Sequence, residues 1–98
     1  MGSFQDIINK NEPVLIDFFA TWCGPCKALA PVLEQVKDVV GEKATIIKVD
    51  VDKNQALATK LSVRGVPTLV LYKNGKQLWR QSGVIPKEEI IKQIEANY

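Results

Sequence analysis

The sequence predicts an α/β fold, with a central mixed sheet and helices on both of its faces. Three observations lead there. Segments with helical and strand patterning alternate in the order α-β-α-β-α-β-β-α. The first half holds a β-α-β unit, whose two strands are expected to run parallel through a right-handed crossover. The second half places Asn74-Gly75 between two β-prone runs, the strongest short hairpin signal, so an antiparallel pair joins the same sheet.

Each element has its own local reason. "SFQDIINK" reads as a short helix with Ser3 as its N-cap. "PVLIDFFA" is a nearly continuous apolar run, which suits a central strand buried on both faces. A helix is expected from Pro25 to about Val40. Proline fits its first turn, where a backbone N–H would have no partner. Leu29, Val32, Leu33, Val36 and Val40 form one apolar stripe at helical spacing, and Gly41 ends the helix. Pro31 lies inside it, where proline removes a hydrogen bond and forces a kink. "ATIIKVDV" reads as the second strand and "NQALATKLS" as a short helix with Asn54 as cap. "PTLVLYK" and "KQLWRQS" are the hairpin strands. Pro86 opens the last helix, with Glu88 and Glu89 in a first turn that favours negative charge and Ile90, Ile91 and Ile94 on its apolar face. No Pro/Gly/Ser-rich linker, repeat or low-complexity stretch appears, so residues 1–98 are read as one domain.

Composition removes several classes of function. Hydrophobic residues make up 46% of the 98 and charged residues 24%, enough for a core without staples. The net charge of +2 lacks the clustered excess of a nucleic-acid binder. No apolar run approaches the ~18 residues of a membrane span. "MGSFQDIINK" has neither the charged start nor the apolar stretch of a signal peptide, and Asp6 stands where myristoylation needs Ser or Thr. A cytoplasmic location is the default. The chain has no histidine, so Cys–His and Ser–His–Asp nucleophilic catalysis both lack their base. Two cysteines without histidine cannot complete a four-ligand zinc site within one chain.

Those two cysteines, Cys23 and Cys26, enclose only Gly24 and Pro25. Residues three apart on a helix have Cα atoms roughly 5 Å apart. Disulfides need about 4.4–6.8 Å. The pair can therefore close and reopen with little backbone movement. Cys23, ahead of the first turn, is expected to be the exposed end, its thiolate stabilised by free N–H groups and the helix dipole. Cys26, one turn in, is expected to be shielded. Three readings stand beside each other. A staple closing so small a loop contributes only about 2 kcal/mol. A metal would have to be shared between two chains. Redox exchange uses both thiols as they stand, and the flanking Trp22, Gly24 and Pro25 favour it.

"WCGPCK", preceded by "VLIDFFA" and followed by "RGVPTLVLYKNGK", resembles the thioredoxin family over nearly the whole chain. The resemblance implies a protein disulfide reductase that binds no cofactor of its own. Its partners would be disulfide-containing client proteins and thioredoxin reductase, which supplies electrons from NADPH. Cys23 would attack the client disulfide and Cys26 would resolve the mixed disulfide. Asp17, a carboxylate inside a buried strand, is costly there unless hydrogen-bonded or protonated. It reads either as an acid satisfied by backbone or, by resemblance, as the proton acceptor for Cys26, accompanied by Lys48. Taken alone, Lys48 reads as a solvated edge charge. The resemblance also implies a cis bond at Pro67 opposite the cysteines, although only about one X-Pro bond in twenty is cis. Val66 would then offer backbone groups to an extended client chain. Trp22, Gly24, Pro25, Val66, Pro67, Gly83 and Val84 would form a shallow apolar docking surface, against ordinary strand-end packing for Val66 and Val84.

Two departures from the family pattern stand out. Phe19 occupies a place where tryptophan is usual. The usual first strand is missing, so four strands are expected in the order second, first, third, fourth, with "ATIIKVDV" at an edge. A monomer is expected, with edge pairing to a second chain as the alternative. On the same fold, an oxidase or isomerase is the rival activity, and a binding module with idle thiols is the non-enzymatic rival.

Overall fold

The computed structural model describes residues 3–98; the reading of Met1 and Gly2 lies outside them. Helix α1 spans Phe4–Ile8, strand β1 Val14–Phe19, α2 Gly24–Val40, β2 Thr45–Asp50, α3 Gln55–Lys60, β3 Thr68–Lys73, β4 Lys76–Ser82 and α4 Lys87–Glu95. A short 3-10 turn, Gly41–Lys43, links α2 to β2. The sheet order is β2-β1-β3-β4, as the sequence leads one to expect. β1 runs parallel to β2 and antiparallel to β3, and β3 runs antiparallel to β4.

The central place of β1 follows from its composition. Val14 through Phe18 are all buried, so both faces of the strand need cover. Leu15 joins α2 and α4 through Leu29, Leu33, Val36, Ile90 and Ile94. Val14, Ile16 and Phe18 face the other way, towards Ile8 of α1 and Leu57 of α3. Strand period two therefore turns Asp17 to the same side as Leu15, under α2.

Local chemistry explains most element ends. The Ser3 hydroxyl accepts from the Asp6 N–H while the Asp6 carboxylate accepts from the Ser3 N–H, a capping box that lets a five-residue helix start cleanly. Helix α2 begins one residue before Pro25, runs through Pro31 and stops at Gly41, whose φ of 56° suits glycine. Asn74 (φ 53°) and Gly75 (φ 80°) form the hairpin turn. Their N–H groups donate to the carbonyls of Lys10 and Ile8, tying the tip to the end of α1. The Asn54 side chain does not cap α3. Its Nδ2 donates instead to the Asp50 carbonyl at 2.9 Å, which fixes the β2–α3 corner.

Candidate active site

The cysteines sit where β1 hands the chain to α2. Cys23 is the N-cap of α2, and Cys23 and Cys26 are joined as a disulfide with Cα atoms 5.2 Å apart. The Cys26 N–H donates to Cys23 Sγ at 3.1 Å. A helix-start N–H thus points at the sulfur that would carry charge after reduction. Cys26 is shielded as expected. Cys23 is not the exposed end: only 4% of it is accessible, against 6% for Cys26. The reason is tertiary. Cys23 turns back to cap its own helix, and Val66 closes over it with the carbonyl oxygen 3.6 Å from Sγ.

The Val66–Pro67 bond is cis, as the resemblance implies. Val66 is half-buried and Pro67 fully so; Pro67 therefore shapes the backbone more than it adds surface. Trp22, 70% exposed, stands on the rim with Gly24 and Pro25, and Val84 is 50% exposed. A groove of about 140 Å³ runs between Trp22, Val51, Val63 and Val66.

Behind the disulfide lies a cavity of about 240 Å³ lined by Asp17, Phe19, Cys26, Lys27, Ala30 and Lys48. Asp17 is 2% exposed, and its Oδ1 has no hydrogen-bond partner. Burial pushes its carboxyl up to about 6, opposed by the charge of Lys48. The two residues are register partners on β1 and β2. Lys48 is exposed, with its ammonium 5.9 Å from the centre of the Phe19 ring. The backbone-satisfied reading of Asp17 therefore fails for Oδ1, and Lys48 acts on it across space.

Asp52 belongs to this site and the sequence reading missed it. Its Oδ2 accepts from Trp22 Nε1 at 2.8 Å, across 30 residues. No local spacing signals such a pair; only the packing of the β2–α3 corner against the cysteine loop makes it. Among the described residues no group of three or more His, Cys, Asp or Glu is placed to hold a metal ion.

Residues 1–96 match the thioredoxin family model. The chain is 40% identical over 96 residues to the chloroplastic thioredoxin Y of rice, covering 97% of this chain and 57% of that one. It thus spans little more than half of that relative. It is 37% identical over 93 residues to thioredoxin of Rhodospirillum rubrum, covering 95% of this chain and 89% of that one. A mutant thioredoxin from Halobacterium salinarum NRC-1 superposes with a TM-score of 0.87 at 41% identity, covering 99% of this chain and 86% of that one. With nearly its whole length matched by the family model and by a relative of similar size, the chain belongs to the thioredoxin family.

Proposed function

We propose that this chain is a protein disulfide reductase working through Cys23 and Cys26, and that residues 1–98 act as one domain. The observation that carries the reading is the conjunction at the start of α2. A closable cysteine pair faces the Val66 carbonyl on one side and, on the other, the buried Asp17 carboxylate, whose Oδ1 has no hydrogen-bond partner.

In the reduced chain, the Cys23 thiolate attacks one sulfur of a client disulfide. That S–S bond breaks, a mixed disulfide forms, and the client's first sulfur leaves as thiolate to be protonated. The Cys26 thiol then gives its proton to Asp17 and attacks the Cys23 sulfur. The second client sulfur leaves. Two electrons have passed to the client, and the chain holds the Cys23–Cys26 disulfide. Asp17 suits the acceptor role because burial raises its proton affinity. Lys48 keeps that affinity from rising too far. Trp22, Gly24, Pro25, Val66, Pro67, Gly83 and Val84 form the docking face, where an extended client chain pairs with the backbone of Val66.

Thioredoxin reductase, drawing on NADPH, is the proposed source of electrons for the next turnover. The chain holds no cofactor in this scheme and acts as a monomer. A role in electron transport and cell redox homeostasis follows from it. Cytoplasm is the proposed location. The rice relative is chloroplastic by name, which makes a plastid the competing compartment. Among the described residues no helix is long and apolar enough to cross a membrane.

A Cys26→Ser chain should accumulate mixed disulfides with clients at Cys23. If no adducts form and insulin reduction by dithiothreitol is not accelerated, the thiols are idle and the chain is a binding module. Equilibration against glutathione decides the direction of exchange, since a strongly oxidising potential would make the chain an oxidase or isomerase.

A further inference from the structure

The Val66 carbonyl that faces Cys23 belongs to a segment, 62–67, with no helix or strand of its own. Irregular backbone holds its place only if its polar groups are tied down. Here the ties come from the two hairpin strands and from Gly83 just past them. At the entry, Ser62 takes φ of 57°, a left-handed conformation that a non-glycine residue adopts rarely. Its N–H donates to the Thr59 carbonyl and the Val63 N–H to the Ala58 carbonyl, which ends α3. The next two carbonyls, of Leu61 and Ser62, have left the helix. Both accept from one side chain: Arg80 Nη1 donates to Leu61 at 2.6 Å and Nη2 to Ser62 at 2.7 Å.

The exit is held from the start of β3 and from the residue just past β4. Thr68 Oγ1 donates to the Gly65 carbonyl at 2.7 Å and lies 2.9 Å from Ser82 Oγ. The Gly83 N–H donates to the Pro67 carbonyl at 2.9 Å. Arg80 thus grips one end of the segment while Thr68, braced by Ser82, and Gly83 grip the other, and Val66 is suspended between them.

We infer that Arg80 is a positioning residue for client docking: by pinning the Leu61–Ser62 corner it holds the Gly65–Val66 backbone where an extended client chain can pair with it. This rests on the disulfide-reductase reading above. Arg80 touches neither the cysteines nor the client. A guanidinium fork can bind two successive carbonyls at once, whereas an ammonium is a single point charge. A small disulfide needs only the Cys23 sulfur. A protein disulfide also needs the Val66 backbone. Loosening the corner therefore harms one substrate and spares the other.

The test measures reduction of insulin and of bis(hydroxyethyl) disulfide by the whole chain, together with amide hydrogen exchange. Arg80→Gln should raise KM for insulin about tenfold, from the loss of two charge-assisted bonds, with kcat unchanged. The rate with the small disulfide should stay the same. The hydrogen-bonded amides of Ser62 and Val63, at the pinned corner, should exchange faster while those of β1 do not. Arg80→Lys should restore part of the KM. Ser82→Ala, which loosens the other end, should show the same split in smaller measure and carries the test if Arg80→Gln does not fold. An unchanged KM, an equal loss on both substrates, or unchanged exchange at Ser62 and Val63 overturns the inference. If the unaltered chain reduces neither substrate, the reductase reading fails, and exchange at Ser62 and Val63 still decides whether Arg80 holds the segment.

Discussion

The two halves of this molecule contribute different things to one site. In the proposed reaction the β1–α2–β2 half supplies the reacting groups: Cys23 and Cys26 at a helix start, Asp17 beneath them and Lys48 beside it. The β3–β4 half supplies no reacting sulfur or carboxylate. It supplies shape, through the cis Val66–Pro67 bond, the exposed Val84 and the strand that anchors the segment before β3. Chemistry sits on regular elements that repeat its geometry every turn or every second residue. Docking sits on loops whose form is imposed from elsewhere. Substitutions at Cys23, Cys26 and Asp17 should change rates and pH profiles, whereas those on the docking rim, Trp22 included, should change client affinity.

The largest effect should come from the first half. Cys23→Ser should abolish disulfide reduction, lowering the insulin rate to that of dithiothreitol alone. A rate that survived would move the nucleophile to Cys26 and reverse the roles assigned to the two thiols.

Asp17→Asn should stabilise the fold while impairing exchange. The carboxyl's folded value of about 6 lies above its ordinary 3.8. Between those values the unfolded chain has lost the proton that the folded chain keeps, so stability falls as pH rises through that window. The cost is absent below pH 3.8 and complete above about 6. Removing it should add about 3 kcal/mol at pH 7.5 and nothing at pH 3, read from urea unfolding at both. The pH–rate profile should lose its step near 6. A variant no more stable at pH 7.5 would show that the cavity already solvates the carboxylate.

Gly83→Ala probes the second half. Gly83 has φ of 96°, a conformation that costs an L side chain about 1–2 kcal/mol, although no neighbouring atom lies within 4 Å of the added methyl. Thermal unfolding should register that loss, and KM for insulin should rise because Gly83 also holds the Pro67 carbonyl. A stable variant with normal KM would show that the β4 end of the clamp adapts.

Trp22→Phe should give the smallest change. It keeps the aromatic rim but loses the hydrogen bond to Asp52, an exposed contact worth under about 1 kcal/mol. KM for insulin should rise slightly with kcat unchanged. A large fall in kcat would place Trp22 with the chemistry rather than the docking.

Much of the first half was legible residue by residue. Apolar continuity in "VLIDFF", the stripe from Leu29 to Val40 and the spacing of Cys23 and Cys26 are local patterns, and the structure keeps each of them. Asp17 stood out because a charge in such a strand needs a reason. The resemblance added Lys48 and the cis bond at Pro67. The exposure of Cys23 was misread because its cover, Val66, comes from 43 residues away. Asn54 was misread for a related reason: its amide had a better partner in the Asp50 carbonyl than in the start of α3.

By itself, then, the sequence determined the order of elements, the strand order of the sheet and the cysteine pair at a helix start. The element order and the cysteine pair rest on periodicity, spacing and turn residues, which act over a few positions; the strand order is what the family resemblance implies. Only the tertiary structure decided that Cys23 is buried, that Asp52 holds Trp22 and that Arg80 grips the Leu61–Ser62 corner. Each of these depends on side chains and backbone carbonyls that meet because the sheet brings distant segments together. No pattern of neighbours along the chain records such a meeting, since a hydrogen bond across 19 or 30 residues leaves no period to read.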